Sequence, residues 1–449
     1  MSEIPSEQIE LNFADIHPLM SAAEALQEAN RCLYCFDAPC TRACPTHIDV
    51  PRFIKKIASG NVAGAAKGIF DANPIGGSCA RVCPVEVLCE GACVEKTLVK
   101  KPIEIGRLQR YATDHALASG RQLFKKDEAN GRSVGIVGSG PAGLSCATYL
   151  ARLGYAVTVY ERRGMPGGLD TYGMAEYKMT QAASLAETEQ VKALGVEFCL
   201  NTEIGRDVMF GDILSRHDAV FLAVGLGESN RLGIPGEDKE GVVDALSFIE
   251  QVKTRDWTKV DVGTRVAVIG GGNTAIDAVT QAKRLGAEHS ILMYRRTEKD
   301  APAYDYELEL ARRDAVELMW ETTPVAILGD EEVAGMIVHD ADGRERQIEC
   351  DMVIKAIGQS KMTAFFSDVV GVAIDERGRV VVNENMQTSN AKVFAGGDCA
   401  NGGAEAVDAA QMGKLAAMGI HGSLTGDKVE FAGAVLRDPP KAPVDPNPH

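Results

Sequence analysis

The stretch VGIVGSGPAGL, residues 134–144, decides how the middle of this chain folds. A short β-branched run leads into Gly138, Gly140 and Gly143, and the helix-like stretch SCATYLARLGY follows. The run VTVYE then predicts a second strand, which ends in Glu161. Glycines at such positions let the backbone approach a pyrophosphate at a helix N-terminus, and an acid about 20 residues on can accept ribose hydroxyls. The pattern predicts a β-turn-helix-β unit that binds a dinucleotide.

A second unit of the same kind follows at VAVIGGGNTAIDA, residues 266–278. After a strand it supplies three small residues, Gly270, Gly272 and Ala275. A helix through AVTQAKRLG leads to the strand SILMY, which ends near Arg295 and Arg296 rather than in an acid. Guanidinium groups at this position can face a 2′-phosphate or stack on adenine. A solvated basic edge is the alternative interpretation.

Two such units in one chain predict two nucleotides, FAD in the first unit and a nicotinamide in the second. The runs AVFLAVG (219–225) and VIKAIGQ (353–359) are predicted strands that return to the nucleotide domains. The segment 393–417 then predicts a strand, a glycine turn with Asp398, and a helix. A helix N-terminus and a carboxylate suit the ribityl chain and ring of a flavin. A simple N-cap is the alternative for Asp398.

Eight of the twelve cysteines lie before residue 94. The first group comprises Cys32, Cys35, Cys40 and Cys44, followed by Pro45, and the second comprises Cys79, Cys83, Cys89 and Cys93. The spacing C-x2-C brings two thiolates onto one soft metal, and a cysteine run that ends in C-P is typical of iron–sulfur clusters. Two structural zinc sites are the alternative, although the second group lacks a C-x2-C pair. The stretch between the groups looks helical, which predicts a small α-helical domain around the clusters.

Composition and charge exclude several classes of partner. The chain has 449 residues and a net charge of −16, which disfavours nucleic acid and an anionic membrane surface as partners. The polar, acidic start MSEIPSEQIE is not typical of a signal peptide, and no apolar run reaches the roughly 18 residues of a membrane span. We therefore expect a cytoplasmic protein whose clustered thiols serve metal or redox chemistry.

The predicted fold class is α/β, with an N-terminal α-helical iron–sulfur domain followed by two Rossmann-like nucleotide-binding domains, the NAD(P) domain being inserted into the FAD domain. The segment NRLGIPGED (230–238) is a predicted linker between the two. The predicted boundaries are 1–125 for the iron–sulfur domain, 126–235 and 361–430 for the two parts of the FAD domain, 236–360 for the NAD(P) domain, and 431–449 for an unpacked proline-rich tail.

From about residue 25 to 425, these motifs together resemble the NAD(P)H-oxidising module shared by dihydropyrimidine dehydrogenases and glutamate synthase small subunits. The flavin and iron–sulfur subunits of bacterial NAD-dependent dihydropyrimidine dehydrogenases are the favoured match. The resemblance implies two 4Fe–4S clusters. Cys32, Cys35, Cys40 and Cys93 match the ligands of one cluster, and Cys44, Cys83, Cys89 and Gln109 match the ligands of the other. Without the resemblance, Gln109 would read as an ordinary helical surface residue. Cys79 then has no ligand role and becomes a neighbour of a cluster.

The resemblance also implies the nucleotide contacts. For FAD the matching residues are Gly138, Ser139, Gly140, Pro141, Ala142, Gly143, Glu161, Gly168, Leu169, Lys178, Gly397, Asp398, Ala406 and Val407. For the nicotinamide they are Gly271, Gly272, Asn273, Thr274, Arg295, Arg296, Ala356 and Gly358. One departure matters, because NADPH-using relatives carry a further arginine where this chain has Pro302. Together with Glu298 and Asp300, this departure favours NADH.

The cofactor set predicts the chemistry. A nicotinamide gives a hydride, an iron–sulfur cluster accepts single electrons, and a flavin can do both. We therefore expect hydride transfer to flavin N5 and single-electron transfer through the clusters, with no catalytic side chain. A disulfide reductase is disfavoured because Cys146, Cys199, Cys350 and Cys399 are isolated.

The resemblance further implies a heteromeric enzyme. The chain has no stretch that resembles an FMN-binding barrel or a pyrimidine site. The predicted partner is a subunit that carries FMN and iron–sulfur clusters and reduces uracil or thymine. The alternatives are the small subunit of glutamate synthase, a ferredoxin:NAD(P) oxidoreductase subunit, and a non-catalytic docking module.

Overall fold

The computed structural model describes residues 4–369 and 371–434. Contacts within the chain divide it into two compact units. The inserted unit combines residues 4–16, 168–184 and 226–362, and the main unit combines 17–167, 185–225 and the described residues from 363 onward. Most of the predicted proline-rich tail, residues 435–449, lies outside the described residues.

The part of the described chain before residue 125 is helical, as predicted. Its helices are α1 Ser6–Asn12, α2 Ala22–Ala29, α3 Pro39–Ala43, α4 Val50–Ala58, α5 Val62–Ala72, α6 Gly76–Val82, α7 Val94–Leu98 and α8 Ile105–Ala118. Helix α4 illustrates why the sequence folds this way. Its buried residues Val50, Phe53, Ile54 and Ile57 follow helical spacing, and the Asp49 carboxylate caps the first turn by accepting the N–H of Arg52.

The first helix packs away from the other seven. Ile9 and Phe13 are buried in the core of the inserted unit, and the Phe13 ring stacks on Trp257 with 4.6 Å between ring centroids. The Asn12 amide also donates to the carbonyl of Arg284 at 2.9 Å. The predicted boundary at residue 125 groups α1 with the cysteine-rich helices, whereas its buried side chains contact the nucleotide-type core.

The chain then enters an alternation of strands and helices. The elements up to residue 225 are β1 Ser133–Val137, α9 Pro141–Arg152, β2 Ala156–Tyr160, α10 Leu169–Tyr172, α11 Gln181–Lys192, β3 Glu197–Cys199, α12 Phe210–Arg216 and β4 Ala219–Leu222. The elements from 226 to 362 are β5 Val242–Asp244, α13 Ala245–Thr254, β6 Arg265–Ile269, α14 Asn273–Leu285, β7 His289–Met293, α15 Asp305–Arg313, β8 Glu317–Met319, β9 Thr323–Leu328, β10 Gly335–His339, β11 Glu345–Ile348 and β12 Met352–Lys355. The last described elements are α16 Thr363–Ser367, β13 Val393–Ala395, α17 Asp398–Asn401 and α18 Ala406–Thr425.

The main unit contains a five-stranded parallel sheet in the order β13-β4-β1-β2-β3. Strand β13 returns after the inserted segment and pairs with β4, which confirms the predicted interrupted domain. Helices α9 and α18 pack so closely at Gly413 that only glycine fits there, since a Cβ would lie 2.2 Å from the carbonyl oxygen of Ala142. This packing holds the late segment beside the first glycine turn.

The inserted unit contains a second five-stranded parallel sheet in the order β5-β12-β6-β7-β8. A separate antiparallel sheet of β11, β10 and β9 accompanies it. Parallel strands with crossover helices form a nucleotide-binding arrangement, with ligands expected at the carboxyl ends of the strands. The predicted α/β fold class, with a helical front domain and two Rossmann-like units, is confirmed.

Candidate cofactor-binding sites

The first glycine turn joins β1 to α9. Gly138 has a φ of +99°, and a Cβ there would lie 2.3 Å from the carbonyl oxygen of Ala223. A Cβ on Gly143 would lie 2.1 Å from the carbonyl oxygen of Gly138. Gly140 occupies the N-cap of α9 and has no side chain with which to cap it, so the N–H groups of the first turn are left to other acceptors. Such a turn fits a pyrophosphate at the N-terminus of α9.

Glu161 lies at the end of β2, as predicted, and is 7% exposed. Its carboxylate accepts the N–H and the hydroxyl of Ser139 at 3.0 and 2.5 Å, and also the N–H of Arg163 at 2.9 Å. Gly167 in turn donates to the carbonyl oxygen of Ser139 at 3.1 Å. Glu161 therefore connects the segment after β2 to the glycine turn. Its contact with a ribose stays a prediction.

The late segment reaches the same turn. Gly397 has a φ of +73°, and a Cβ there would lie 3.1 Å from the Cβ of Ala142. Gly397 is also the N-cap of α17, so the alternative of a simple N-cap role for Asp398 is not what the structure has. The carboxylate of Asp398 accepts the N–H of Ala404 at 3.2 Å. Ala406 begins α18, and Val407 is buried in the core of the main unit.

Lys178 has partners in the inserted unit. Its ammonium lies 2.6 Å from the carboxylate of Asp277 on α14 and 2.5 Å from that of Glu307 on α15. Burial lowers the pKa of Lys178, but the two carboxylates outweigh burial and raise it above its ordinary value. The chain passes between the units at Gly168, which has a φ of +58°, and Leu169 follows it at the start of α10. A flavin contact of Lys178 stays a prediction.

The second glycine turn joins β6 to α14. Gly270 has a φ of +149°, and a Cβ there would lie 2.3 Å from the carbonyl oxygen of Ala356, which follows β12. A Cβ on Gly271 would lie 2.6 Å from the ring of Tyr294. Gly272 is the N-cap of α14. The turn and the end of β12 are thus brought together, as the prediction of Ala356 as a nicotinamide contact requires.

Three other predicted nicotinamide contacts lie on the segments that form this turn and follow β12. Asn273 and Thr274 form the first turn of α14, and the Asn273 side chain accepts the N–H of Tyr304 at 3.1 Å. Gly358 has a φ of +84°, and its carbonyl oxygen accepts the N–H of Asn230 at 3.0 Å. Asn230 belongs to the predicted linker, which therefore contacts the predicted nicotinamide site at Gly358.

Arg295 and Arg296 follow β7 and are exposed. The two acids that follow in the sequence, Glu298 and Asp300, both have partners within the chain. Glu298 forms an ion pair with Arg312 on α15, and Asp300 accepts the hydroxyl of Thr297 at 2.6 Å. The ring of Pro302 approaches the turn as well, 3.8 Å from the position of a Cβ on Gly272. The residue that replaces the expected arginine is therefore in the region of the predicted nucleotide contact.

The first set of cysteine ligands surrounds a small, partly open cavity. Cys32, Cys35, Cys40 and Cys93 line it, together with mostly apolar residues that include Leu33, Pro39, Val50, Ile54 and Ile103. Burial, together with the neighbouring Cys32 and Cys93, raises the pKa of the Cys40 thiol to about 12. The predicted four-cysteine set is thus brought together in an apolar setting, which fits a thiolate-bound cluster.

The second set gathers around Cys83. The hydrogen bond with Cys79 and burial raise the pKa of the Cys83 thiol, and Cys44 and Cys89 contribute in the same direction. These interactions show that Cys44, Cys83 and Cys89 are neighbours. Cys79 is buried beside them and accepts the side-chain amide of Asn73 at 3.1 Å.

Gln109 is buried, with 7% exposure, so its interpretation as an ordinary surface residue is wrong. Its amide donates to the carbonyl oxygen of Gly76 at 2.7 Å, at the start of the helix that leads to Cys83. The site of Gln109 is compatible with the predicted ligand role, which stays a prediction. Within residues 4–369 and 371–434, no three Cys, His, Asp or Glu side chains form a group arranged for a single metal ion.

Two family models match the chain. The model described as pyridine nucleotide-disulphide oxidoreductase matches residues 132–413. The chain belongs to this family. The model described as dihydropyrimidine dehydrogenase domain II, 4Fe-4S cluster, matches residues 9–121. The second match favours the iron–sulfur interpretation of the cysteine-rich part of this pyridine nucleotide-disulphide oxidoreductase over the zinc alternative.

Relatives of two kinds are similar over nearly the whole chain. The glutamate synthase (NADPH) small chain of Escherichia coli K12 is 36% identical over 444 residues, which cover 91% of this chain and 93% of the relative. The NAD-dependent dihydropyrimidine dehydrogenase subunit PreT of the same organism is 32% identical over 416 residues, covering 92% of this chain and 98% of the relative. The predicted family resemblance is confirmed, and the two kinds of relative are comparably similar.

Solved structures agree on the fold of the nucleotide units. Thioredoxin reductase of T. acidophilum matches with a TM-score of 0.54 at 23% identity, covering 65% of this chain and 99% of that structure. FprA of Mycobacterium tuberculosis in complex with NADPH matches with a TM-score of 0.55 at 18% identity, covering 66% and 85%. The two family models and the relatives, rather than these structures, identify the chain as an NAD(P)H-dependent flavin oxidoreductase with an iron–sulfur domain. No helix among the described residues is long and apolar enough to span a membrane.

Two buried charged residues near the cysteines were not singled out from the sequence. Glu187 on α11 accepts the N–H groups of Gly77 and Ser78 at 2.6 and 3.0 Å, which anchors the start of α6. Lys414 on α18 is fully buried. Its signal in the sequence was a lone lysine in the small, apolar stretch AVDAAQMGKLAAMG.

Proposed function

We propose that this chain is the electron-input subunit of a dihydropyrimidine dehydrogenase. It would oxidise NAD(P)H and pass single electrons through two 4Fe–4S clusters to a partner subunit that reduces uracil or thymine. The observation that carries the proposal is that both cysteine sets and the FAD-type sheet belong to one compact unit. Electron transfer requires its centres to lie close together, and one compact unit can hold both cysteine sets near the FAD-type sheet.

The packing of the cysteines supports an order of transfer. Cys79 and Cys83 contact the core of the FAD-type sheet, and Cys44 contacts both that core and the core of the helices, whereas Cys32, Cys40, Cys89 and Cys93 contact only the core of the helices. Leu33 and Phe36, beside the second of these groups, are 51% and 72% exposed. Electrons would therefore pass from the flavin through the Cys44 set to the Cys32 set and leave near this exposed surface.

The chain's own residues bind and orient rather than exchange protons. The turn at Gly138 and the N-terminus of α9 would hold the FAD pyrophosphate, and the turn at Gly270 with Ala356 would hold the nicotinamide cofactor. When bound, FAD supplies the exchange between two-electron and one-electron chemistry. The cysteines of both sets are partly buried, which would limit the access of water to the clusters. No acid or base is needed, so no catalytic side chain is proposed.

The partner distinguishes the proposal from its alternatives. The proposed partner carries FMN and iron–sulfur clusters and binds the pyrimidine. The 36% identity to a glutamate synthase small chain supports a second candidate, in which the partner makes glutamate. A ferredoxin:NAD(P) oxidoreductase subunit would share the same site chemistry. We propose NADH as the preferred nicotinamide, because Pro302 replaces the further arginine, and we propose a cytoplasmic location.

Purification under anaerobic conditions tests the cofactor assignment. We expect about eight irons and one FAD per chain, and reduction of both the flavin and the clusters on addition of NADH. The isolated chain should transfer electrons to an artificial acceptor such as ferricyanide but should not reduce uracil. Uracil reduction by the chain alone would contradict the input-subunit proposal, and failure of NADH and NADPH to reduce the bound flavin would contradict the oxidation step.

A further inference from the structure

Lys414 is a buried cation that lacks a carboxylate partner among the described ion pairs. Its side chain is 0% exposed, and its ammonium donates to the carbonyl oxygens of Thr46 and Ala432 at 3.2 and 3.0 Å. The ring of Tyr149 lies 6.0 Å away. Two carbonyl dipoles and a ring face compensate a buried charge only partly. A buried ammonium is normally retained where an anion is close.

The nearest cysteine set supplies a site for that anion. Thr46, whose carbonyl oxygen accepts from Lys414, also places its hydroxyl 3.4 Å from the sulfur of Cys44. Lys414 and Cys44 thus both contact Thr46. Burial lowers the pKa of Lys414 to about 7 in the protein without its cofactors, while Cys44 and Asp71 act to raise it. Asp71 already forms an ion pair with Arg152 at 2.7 Å. The Cys44 set is therefore the group near Lys414 whose negative charge has no other cation assigned to it among the described residues.

We propose that the Lys414 ammonium tunes the cluster held by the Cys44 set, stabilising its reduced state. This inference rests on the proposed function, which assigns a second cluster to Cys44, Cys83, Cys89 and Gln109. Reduction of a cluster adds one electron and one negative charge, and no proton needs to follow if a fixed cation is nearby. The electron is supplied by NAD(P)H through the flavin. A buried cation near the sulfurs raises the reduction potential of that cluster and favours its acceptance of an electron from the flavin.

A purely structural role is the competing explanation. The ammonium joins the loop at Thr46 and the turn at Ala432 to α18, and those hydrogen bonds alone could be its purpose. Three variants separate charge from hydrogen bonding. Lys414→Gln keeps donor hydrogens and removes the charge, Lys414→Arg keeps the charge, and Lys414→Met removes both. Lys56→Gln is the matched control, because Lys56 also donates to a carbonyl oxygen, that of Gly64, on a helix of the same unit.

The experiment is an anaerobic redox titration of each full-length variant, followed by electron paramagnetic resonance, with iron and flavin content measured on the same samples. In Lys414→Gln and Lys414→Met, we expect the reduction equilibrium of one cluster to fall about tenfold, which is 59 mV for one electron. The other cluster should be unchanged. Lys414→Arg should stay close to the wild-type protein, and Lys56→Gln should leave both clusters unchanged.

Each other outcome is also decisive. Unchanged potentials in Lys414→Gln with full iron would overturn the tuning role. Loss of one cluster's iron in Lys414→Gln with retention in Lys414→Arg would support a need for the charge, whereas loss in both would show a structural role only. A wild-type protein with a single cluster would overturn the two-cluster assignment together with this inference. If the wild-type protein holds two clusters and neither potential changes in Lys414→Gln, the two-cluster assignment stands and only the inference about Lys414 is overturned.

Discussion

At the scale of one residue, substitution of Arg295 tests how the chain distinguishes NADPH from NADH. Its side chain is exposed just after β7, where a 2′-phosphate would bind. If Arg295 contacts that phosphate, Arg295→Glu should raise the KM for NADPH at least about tenfold, because a charge-assisted bond is replaced by repulsion. The KM for NADH should change by less than about twofold. Steady-state kinetics with ferricyanide as acceptor measures both.

The control for this change lies in the same unit. Arg313 on α15 is also exposed, but it is not among the predicted nucleotide contacts. Arg313→Glu should leave both KM values close to those of the wild-type protein. Equal increases for NADH and NADPH in Arg295→Glu would show that Arg295 contacts only the part of the cofactor that the two nucleotides share.

The cysteine sets give a second prediction at this scale. Cys40→Ala removes a ligand of the Cys32 set, and Cys83→Ala removes a ligand of the Cys44 set. Each should lose about half of the iron, because each set is predicted to hold one 4Fe–4S cluster. Cys79→Ala is the control, and it should keep full iron because Cys79 is a buried neighbour without a ligand role. Iron analysis with electron paramagnetic resonance measures the result, and loss of iron in Cys79→Ala would contradict the assignment.

Residues whose role depends on local backbone geometry were predictable from the sequence. Gly138, Gly143 and Gly270 stand where a Cβ would strike backbone oxygen, and their spacing alone indicates such turns. Residues whose role depends on distant neighbours were not. The burial of Gln109 and the pairing of Glu298 with Arg312 arise from packing between elements, which a single sequence does not specify.

At the scale of elements, Glu237 connects the predicted linker to β12. Its carboxylate accepts the N–H groups of Leu232 and Gly233 at 2.7 and 2.9 Å and the ammonium of Lys355 at 3.1 Å. Lys355 directly precedes Ala356, so this ion pair holds the backbone next to a predicted nicotinamide contact. Burial would raise the pKa of Glu237, but these donors outweigh burial and lower it to about 2 from the ordinary 4.5.

The direction of this pKa shift sets a pH dependence. Because the folded-state pKa of Glu237 is lowered, its stabilising contribution is full above about pH 4.5 and is lost as the pH falls through about 2. Glu237→Gln should lower the free energy of unfolding at pH 7 by about 1–3 kcal/mol. Below the folded-state pKa, the difference between the two proteins should shrink. Urea unfolding at pH 7 and at successively lower pH values measures both effects.

Asp238 offers a matched control in the same linker. Its ion pair with Arg231 is at the surface, where such pairs contribute little. Asp238→Asn should therefore change the free energy of unfolding at pH 7 by less than about 0.5 kcal/mol. A Glu237→Gln variant as stable as the Asp238→Asn variant at pH 7 would show that the linker does not depend on the buried carboxylate.

The strands of the two parallel sheets were predictable, because short β-branched runs enter glycine turns or return beside them. The contact of α1 with the inserted unit was not. Ile9 and Phe13 carry no signal of which core they join, since burial of an apolar side chain does not specify its partner. The antiparallel sheet of β9, β10 and β11 was likewise absent from the sequence-based prediction, because it contains no functional motif.

At the scale of the whole molecule, the order of the segments carries the functional argument. The sequence predicts an FAD-type domain interrupted by an NAD(P)-type domain, and the parallel pairing of β13 with β4 confirms that interruption. The cysteine-rich helices from residue 17 onward belong to the same unit as the FAD-type sheet. This arrangement suits a module that accepts electrons from a nicotinamide and delivers them elsewhere. Under the proposed function the electron acceptor is held by the partner subunit, so the identity of the acceptor depends on that partner.

The most direct test of the input-subunit proposal is therefore to identify what this chain binds in its native host. The tagged chain would be expressed there and isolated anaerobically, and the proteins that accompany it would be identified and assayed. We predict a partner that carries FMN and iron–sulfur clusters, and a complex that reduces uracil with NADH or NADPH. A large partner with glutaminase activity, in a complex that forms glutamate and leaves uracil unchanged, would contradict the dihydropyrimidine dehydrogenase assignment.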